Sequence, residues 1–360
     1  MNEGMKCDSS VWVTTKIDQM VKVTLHQSLH YSLQEEQSWR WDSWSWNMGV
    51  AFYGIYQAFA RNENYEYVRA MKEWVYHNLD NIPNLSVNTN AMMLPILLMQ
   101  KVTDLSPEVT ALFQTYDEYV LNDAPRISSG AIAHTTEHKS HSDQVWADTL
   151  FMSVIYLVTR GKLLGNSVYI DSGLHQLLLH MNHLRDVRDG LYFHGWSDQQ
   201  KRHLGVKWGR GNAWIAVSAI ELLELASDHP LRDTIIKMLE QQLTSLSSLE
   251  CPEGGWRTVL DHPDTYAEAS VTAGIAYAVM KGIRLGFVDE KHSQMAIRAV
   301  KRLQGWIDEE GYVLNGSGGT PILESWQEYQ DRECYVTPFT QGLALLALCE
   351  YADYLVYKEN

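Results

Sequence analysis

The sequence of 360 residues is poor in cysteine and in long apolar runs, and each of these absences excludes a class of protein. Its four cysteines, Cys7, Cys251, Cys334 and Cys349, are scattered without a CxxC pair, which is typical of a reduced chain rather than a disulfide framework. No apolar run reaches the length of a transmembrane helix. The first residues, MNEGMKCDSSVWVTT, lack the apolar core and cleavage site of a secretory signal, so we expect a cytoplasmic protein.

Positive charge is outnumbered by negative charge: the chain has 29 Lys and Arg against 44 Asp and Glu, and its formal net charge is -15 at pH 7. Binding to nucleic acid or to an anionic membrane needs clustered Lys and Arg, so we expect neither partner. A small anionic substrate needs only a local basic patch and is not excluded. Aromatic residues are abundant instead, with 13 Trp and 19 Tyr. They suit a large core or a carbohydrate site in which flat rings cover the apolar faces of sugars.

Strand-like alternation is rare, whereas apolar residues recur at helical spacing along almost the whole chain. The stretch GLYFHGW (190–196) is the exception and predicts a small hairpin within a loop. About twelve segments have the length of a helix. They lie near residues 10–30, 47–61, 64–79, 90–103, 107–121, 145–163, 167–183, 211–227, 231–248, 269–286, 290–306 and 339–356.

The connections between these segments alternate between short and long. Long unstructured connections are uncommon in compact domains and are usually functional. The alternation predicts six helical hairpins closed into an (α/α)6 barrel, in one domain spanning residues 1–360, with all long loops at one end. An open solenoid would have repeats that resemble one another, and these do not. The long connections are 31–46, 80–89, 122–144, 184–210, 249–268 and 307–338.

Several motifs in the long loops allow more than one interpretation. WRWDSWSW (39–46) could cap the barrel with aromatic rings or line a site. His134, His138 and His141 have a spacing compatible with zinc, but no HExxH motif or cysteine pair accompanies them, so we expect no metal. NGSGGT (315–320) resembles a phosphate-binding turn, but no Lys-Ser/Thr follows it. GRGNAW follows no predicted strand, which excludes a dinucleotide-binding turn.

Asp148 opens the apolar run that follows QVW. An Asp in the first turn of a helix is favourable simply because it meets the helix dipole. The neighbouring Trp146 and the apolar residues beyond Thr149 make a drier setting than such a cap requires. Asp148 is therefore a candidate catalytic carboxylate at the loop end of the barrel.

These segments resemble the unsaturated rhamnogalacturonyl hydrolases, glycoside hydrolase family 105, and more distantly the unsaturated glucuronyl hydrolases of family 88. The similar stretches are QVWADTLFM, YFHGW, WGRGNAW, GGW with YAEASVTAGIAYAVMKGIRLG, and QGLALLALCEY, in the family's order. The resemblance implies an (α/α)6 barrel that needs no cofactor. It also implies a substrate with a 4,5-unsaturated uronic acid at the non-reducing end, whose C4=C5 bond is hydrated.

The same resemblance implies roles for individual residues. Asp148 would be the general acid and then the base. Apolar surroundings such as Trp146 would raise its pKa, whereas the helix dipole would lower it, so the sequence does not give the net shift. Arg210 would present a planar fork to the substrate carboxylate. The other residues implied to contact the substrate are Trp41, Asn88, His134, His194, Trp208 and Trp214.

The sequence departs from the family at one point. Many members carry a second Asp at the start of the fourth helix, where this chain has SVNTNAMML with Asn88 and Asn90. An amide can bind a sugar hydroxyl but cannot accept a proton, so either Asp148 suffices or the substrate preference has changed. Three alternatives stay open: a glucuronyl hydrolase acting on other lyase products, a sugar 2-epimerase with a histidine acid/base pair, and a non-catalytic sugar-binding barrel.

Overall fold

The computed structural model describes the backbone of residues 3–30 and 41–359, and the side chains of residues 11–29 and 41–359. Trp39 and Arg40 of the WRWDSWSW motif and the side chain of Cys7 lie outside these ranges. The described backbone is mainly helical. Its helices are α1 (Glu3–His30), α2 (Trp46–Asn62), α3 (Tyr65–His77), α4 (Val87–Asn90), α5 (Met93–Met99), α6 (Pro107–Glu118), α7 (Ile155–Leu164), α8 (Ser167–Leu184), α9 (Gly209–Leu225), α10 (Arg232–Ser248), α11 (Ala269–Arg284), α12 (Ser293–Gln304), α13 (Trp326–Gln330) and α14 (Pro338–Glu359).

The helices form two concentric rings. In the inner ring α2, α5, α7, α9, α11 and α14 pack in that order, and α14 packs back against α2. The outer ring consists of α1, α3, α6, α8, α10 and α12, each of which precedes or follows an inner helix through a hairpin. The predicted (α/α)6 barrel is therefore confirmed.

Burial follows the position of each helix in the two rings. The outer helix α3 buries only Tyr67, Val68, Met71, Trp74 and Val75, which share one helical face. The inner helix α9 is buried almost all round. None of the helices in the described ranges is long and apolar enough to cross a membrane.

Glycines allow the inner helices to approach one another closely. A Cβ atom added at Gly54 of α2 would lie 2.5 Å from the carbonyl oxygen of Gly342 in α14. A side chain at either position would push the two helices apart. This contact closes the ring between its first and last inner helices.

Several predicted elements differ from the structure. The helix predicted at 90–103 is divided into α4 and α5, because the Ser86–Thr89 capping box starts a short helix earlier. The helix predicted to begin at 145 begins at Asp148 with a π-helical turn, Leu150–Val154, before α7. The last long connection contains the additional helix α13, which begins with a capping box between Ser325 and Glu328.

A small antiparallel sheet links two of the long loops. Its strands are β1 (Gln144–Trp146), β2 (Gly195–Ser197) and β3 (Arg202–Leu204), with β2 in the centre. The hairpin predicted at 190–196 therefore lies slightly later, at 195–204. In the β1–β2 register Trp146 pairs with Gly195, which brings the residues after β1 next to those before β2.

Candidate active site

The long loops contact one another where the inner helices begin. The backbone N–H of Asn88 donates to the Thr135 carbonyl at 3.3 Å, and the backbone N–H of Gly209 donates to the Thr258 carbonyl at 2.8 Å. The ring of Trp46, at the start of α2, lies 4.6 Å from that of Phe339 at the start of α14. This end of the barrel therefore gathers helix N-termini and the predicted site residues.

Asp148 and His194 form the centre of the site. The sheet brings them together, because the Ala147 amide donates to the His194 carbonyl at 3.1 Å. Asp148 Oδ2 then lies 3.4 Å from His194 Nε2. Both atoms are buried without a hydrogen-bond partner among the described residues. The Asp148 side chain is 14% exposed, so a substrate can still reach it.

Opposing influences act on the Asp148 carboxyl. Burial acts to raise its pKa, as expected for a charge removed from water. The neighbouring His194 opposes this, with smaller contributions from the charges of His134 and Arg210, and the net pKa is below its ordinary value. The free protein therefore carries Asp148 as a carboxylate. The sequence indicates the opposing effects of apolar surroundings and of the helix dipole on this pKa, but not the direction of the net shift.

His134 lies behind Asp148 and contacts Trp146. Its ring stacks on the Trp146 ring at 4.3 Å between centroids, with 7° between the planes. Its Nδ1 atom is 3.1 Å from Thr149 Oγ1. Burial lowers the pKa of His134 to about 3, so this imidazole is neutral at working pH. It can exchange hydrogen bonds but does not supply a positive charge.

His194 is buried between two tryptophan rings. Its centroid lies 4.1 Å from that of Trp208 and 5.4 Å from that of Trp146, with the latter pair edge to face. Burial lowers the pKa of His194, although the adjacent Asp148 carboxylate opposes the shift. We therefore treat His194 as a neutral imidazole whose ring nitrogens differ in their partners.

Arg210 is buried and holds the loop 315–320. Its Nη1 atom donates to the Ser317 hydroxyl at 2.9 Å and carbonyl at 3.0 Å, and its Nη2 atom donates to the Gly318 carbonyl at 2.8 Å. The guanidinium also lies 4.6 Å from the Trp208 ring. Its Nη atoms are thus bound to protein, and only Nε is without a partner in the described structure. The sequence predicts that the planar guanidinium binds a substrate carboxylate, but in the structure its Nη atoms donate to the loop 315–320.

Asn88 lies next to the π-helical turn that follows Asp148. It belongs to α4, which packs on the 150–154 turn, and Asn90 Nδ2 donates to the Met152 carbonyl at 3.1 Å to hold the two together. Asn88 is 8% exposed. Its position at a helix start near Asp148 agrees with the predicted contact to a sugar hydroxyl, which stays a prediction.

The two remaining predicted aromatic residues are largely core residues. Trp41 is only 5% exposed, and its carbonyl accepts a hydrogen bond from Trp74 Nε1 at 3.2 Å. Trp214 is fully buried and its ring lies 4.9 Å from that of Phe151. Little of either ring can face a sugar. Trp46, which sequence reasoning did not single out, is partly exposed and reaches Arg210 through Phe339.

Two further residues near the site were not found from the sequence. Glu268 caps α11, accepts from the Ser317 amide at 2.8 Å, and lies 3.8 Å from Arg210 Nη1. Tyr329 of α13 has its hydroxyl 2.7 Å from His194 Nδ1. Glu268 lies in the stretch YAEASVTAGIAYAVMKGIRLG that carries part of the family resemblance, so this motif could have pointed to it. Tyr329 lies in no quoted motif and comes from a segment far away in sequence.

The histidines of the 134–141 segment do not gather into a metal site in the structure. The His134 and His141 rings are 6.3 Å apart, with Trp146 in contact with both. Over the ranges whose side chains are described, no cluster of three or more His, Cys, Asp or Glu residues could hold a metal ion. Metal independence stays a prediction for experiment.

A ring of helical hairpins with a carboxylate, neutral histidines and tryptophans at its loop end is a helical-barrel arrangement suited to a carbohydrate site. The profile of Glycosyl Hydrolase Family 88 matches residues 16–355, and the chain belongs to that family. The chain is 34% identical over 356 residues to the unsaturated rhamnogalacturonyl hydrolase YesR of Bacillus subtilis, covering 97% of this chain and 96% of that protein.

Solved structures agree with this assignment. A possible member of the GH105 family from Klebsiella pneumoniae has a TM-score of 0.88 and 28% identity, covering 95% of this chain and 93% of the other. The unsaturated glucuronyl hydrolase of Bacillus sp. GL1 has a TM-score of 0.72 and 15% identity, with 95% of each chain covered. The second likeness concerns the fold alone.

Proposed function

We propose that this glycosidase removes a 4,5-unsaturated uronic acid from the non-reducing end of oligosaccharides, with unsaturated rhamnogalacturonan disaccharides as the preferred substrates. Similarity to YesR along almost the whole chain supports this substrate class. One observation carries the chemistry: the Asp148 carboxylate is reachable from outside, unpartnered, and 3.4 Å from a buried neutral imidazole. Such a carboxyl can transfer protons in both directions.

The proposed reaction begins at the enol ether. Asp148 in its acid form donates a proton to C4, and positive charge develops at C5. The resulting carboxylate then accepts a proton from water as the water oxygen bonds to C5, which restores the acid. The hemiketal then opens: the bond between C5 and the ring oxygen breaks, C5 becomes a ketone, and the former ring oxygen becomes a hydroxyl on C1. The resulting hemiacetal at C1 collapses to an aldehyde, and the aglycone leaves as an alcohol that takes up the hydroxyl proton. One carboxyl group is sufficient for both proton transfers.

Substrate binding favours the protonated form of Asp148, which then takes up a proton from solvent. The uronate carboxylate places a second negative charge near Asp148, and like charges raise the pKa of a carboxyl group. The N-termini of α2, α9, α11 and α14 meet at this end and favour an anion. An anionic substrate is therefore accommodated by the barrel while it shifts Asp148 toward its acid form.

We propose supporting roles for the other residues. Asn88 and His134 would hydrogen-bond sugar hydroxyls. Trp208 and Trp146 are almost fully buried against His194, so they would keep water away from the Asp148–His194 pair and not cover the sugar themselves. Arg210 would act on the substrate mainly through the loop 315–320, to which its Nη atoms donate. Trp46 is a better candidate than Trp41 for a ring that covers the sugar, because more of its surface is exposed.

The proposal is tested with unsaturated disaccharides made by polysaccharide lyases from rhamnogalacturonan and from glucuronate-containing glycans. Hydration destroys the conjugated double bond, so its ultraviolet absorbance should disappear, faster with the rhamnogalacturonan product. Equal rates with and without a chelator are expected if no metal takes part. Release of an aglycone with the double bond intact, or no reaction with any uronide, would contradict the proposal.

We also propose that residues 1–360 act as one domain in the cytoplasm. The scattered cysteines support a reducing compartment, and the family match over residues 16–355 supports one domain. Cell fractionation with an activity assay tests the location, and limited proteolysis tests whether the chain is cut into stable parts.

A further inference from the structure

The last long connection places Tyr329 directly against the proposed catalytic pair. Tyr329 belongs to α13 and is fully buried. Its hydroxyl oxygen is 2.7 Å from His194 Nδ1, on the opposite side of the imidazole from Asp148. The contact joins segments 135 residues apart and is therefore a product of the fold.

The direction of this hydrogen bond follows from the groups on both sides of the imidazole. A carboxylate can only accept hydrogen bonds, and Asp148 Oδ2 lies 3.4 Å from His194 Nε2, so this ring nitrogen is the one that favourably carries the proton. His194 Nδ1 is then an acceptor, and the Tyr329 hydroxyl donates to it. The Leu323 amide donates to Tyr329 Oη at 3.2 Å, which agrees with this direction because it uses a lone pair of the oxygen and not its proton.

The backbone around His194 is shaped to receive this segment. A Cβ atom at Gly205, which has a φ of +69°, would lie 2.5 Å from the Tyr329 hydroxyl. A Cβ atom at Gly195 would lie 2.2 Å from Ile322 Cδ1. Glycine at these positions lets residues 322–329 dock closely enough for the phenol to reach the imidazole.

We propose that Tyr329 is a positioning residue that holds His194 in the tautomer with its proton on Nε2, directed at the Asp148 carboxylate. The proposal rests on the proposed role of Asp148 as acid and base. After Asp148 has given its proton to C4, the Nε2–H group stabilises and orients the carboxylate that must next accept a proton from water. His194 and Tyr329 keep their own protons throughout. The other tautomer would set a lone pair against the carboxylate.

The tautomer can be observed without turnover. In protein labelled with 15N-histidine, two-bond nitrogen–proton correlations distinguish the two neutral tautomers, and the His194→Gln variant assigns the signal. We expect the Nε2–H form in the wild type and loss of that preference in Tyr329→Phe. An Nδ1–H form in the wild type, or the same tautomer in Tyr329→Phe, would overturn the proposal whatever the activity.

Kinetics give a second test. Tyr329→Phe should lower kcat about ten- to a hundredfold, with little change in KM. Losses of this size are typical of residues that do not touch the substrate but hold a neighbouring side chain in place through a hydrogen bond. Tyr192→Phe is the control, because it removes a buried hydroxyl that has no hydrogen-bond partner in the described structure. It should keep wild-type rates, and thermal melts establish that both variants fold. A kcat for Tyr329→Phe within about twofold of wild type would contradict the proposal.

A double-mutant cycle separates positioning from general support of the fold. When His194 is replaced by Gln, Tyr329→Phe should have little further effect, because no imidazole is left to orient. Independent, multiplying losses would show that Tyr329 acts otherwise. Failure of the proposed function is a separate result: it would appear as full turnover by Asp148→Asn and would leave the His194 tautomer signal unchanged.

Discussion

Both ends of the barrel contain buried ionisable groups, but the two ends differ in whether these groups have hydrogen-bond partners. At the long-loop end, Asp148 Oδ2, His194 Nε2 and Arg210 Nε are buried without hydrogen-bond partners in the described structure. At the short-loop end, the inner helices terminate around a cavity of about 680 Å³. The buried charges that line it are paired with one another.

The pairing at the short-loop end is extensive. Lys281 Nζ lies 2.9 Å from Glu221 Oε1 and 2.7 Å from Glu224 Oε2. Arg284 pairs with Glu350 at 2.7 and 3.0 Å. Both basic residues are in the last turn of α11, where a positive charge also meets the helix dipole favourably. The neighbouring carboxylates raise the pKa of Lys281 in spite of its burial.

The difference lies in whether the buried charged groups have partners. The charged groups that line the cavity at the short-loop end are paired with one another, so we expect no substrate to bind there. The long-loop end instead holds a reactive carboxylate whose neighbours do not complete its hydrogen bonds. Groups of this kind in a native protein call for a functional explanation.

The largest expected effect is on Asp148→Asn. The amide cannot deliver a proton to C4 or activate water, so turnover should fall by about 10²–10⁴-fold or more. The fold should survive, because Asn fits the start of a helix at a cost of about 1 kcal/mol or less. Turnover on unsaturated disaccharide and a thermal melt on the same preparation measure both effects.

Asp143→Asn is the matched control for Asp148→Asn. Asp143 belongs to the same loop and accepts a hydrogen bond from the buried Ser197 Oγ at 2.9 Å. Asp143→Asn should cost some stability without a comparable loss of turnover. Wild-type turnover by Asp148→Asn would mean that another acid is responsible. Loss of turnover in Asp143→Asn would then identify Asp143 as that acid, and otherwise Asp42 would be the next candidate.

The second effect belongs to the short-loop end. Lys281→Met leaves the buried Glu221 carboxylate and the more exposed Glu224 without their shared cation. Because Glu221 then has no counter-charge in its buried position, the protein should be destabilised by about 3–5 kcal/mol. Below the melting transition kcat/KM should be unchanged. Lys358→Met, which removes a half-exposed partner of Glu290, should cost less than about 1 kcal/mol. Loss of activity in folded Lys281→Met would show that the two ends are not distinct.

The third effect is a difference between two pH profiles. The profile of kcat/KM reports free enzyme, where the pKa of Asp148 is lowered, so the acid form is lost as pH rises through that low pKa. The profile of kcat reports the complex, in which the uronate raises this pKa. We expect kcat/KM to decline from a lower pH than kcat, and KM to rise with pH. Coincident profiles would mean that substrate does not shift Asp148.

The smallest effect concerns Arg210→Lys. A lysine replaces the fork that binds Ser317 and Gly318, so the loop 315–320 should loosen. We expect a loss of about 1–3 kcal/mol in stability together with a lower kcat/KM. Differential scanning calorimetry and steady-state kinetics measure the two quantities. A lower kcat/KM at unchanged stability would instead support the direct substrate contact predicted from the sequence.

Local patterns were sufficient to predict the ring but not the pairing of side chains within it. Helical periodicity and the alternation of connection lengths are properties of neighbouring residues, and both survive folding. The sequence predicts a helix that begins at residue 145, whereas in the structure it begins at Asp148. The reason is that Gln144–Trp146 pairs with β2, which lies some fifty residues later in the chain. Tertiary pairing here overrides an apolar run that also fits a helix.

The site shows the same limit. Asp148, His134 and His194 lie in or beside sequence motifs that predict a role in the site, and the fold brings these three residues together. The contacts of Arg210 with Ser317 and Gly318, and of Tyr329 with His194, join residues more than a hundred positions apart. No residue type or spacing reports such a contact. Trp41 and Trp214 were indistinguishable in sequence from exposed rings because burial depends on the whole fold.

The role of Asp148 is tested most directly by a crystal structure of Asp148→Asn with an unsaturated rhamnogalacturonan disaccharide. We expect the sugar at the long-loop end, with C4 of the unsaturated ring within hydrogen-bond reach of the residue 148 side chain. We expect no sugar at the short-loop end, in the cavity lined by Glu221, Lys281 and Glu350. A disaccharide in that cavity, or one whose double bond lies far from residue 148, would contradict this role.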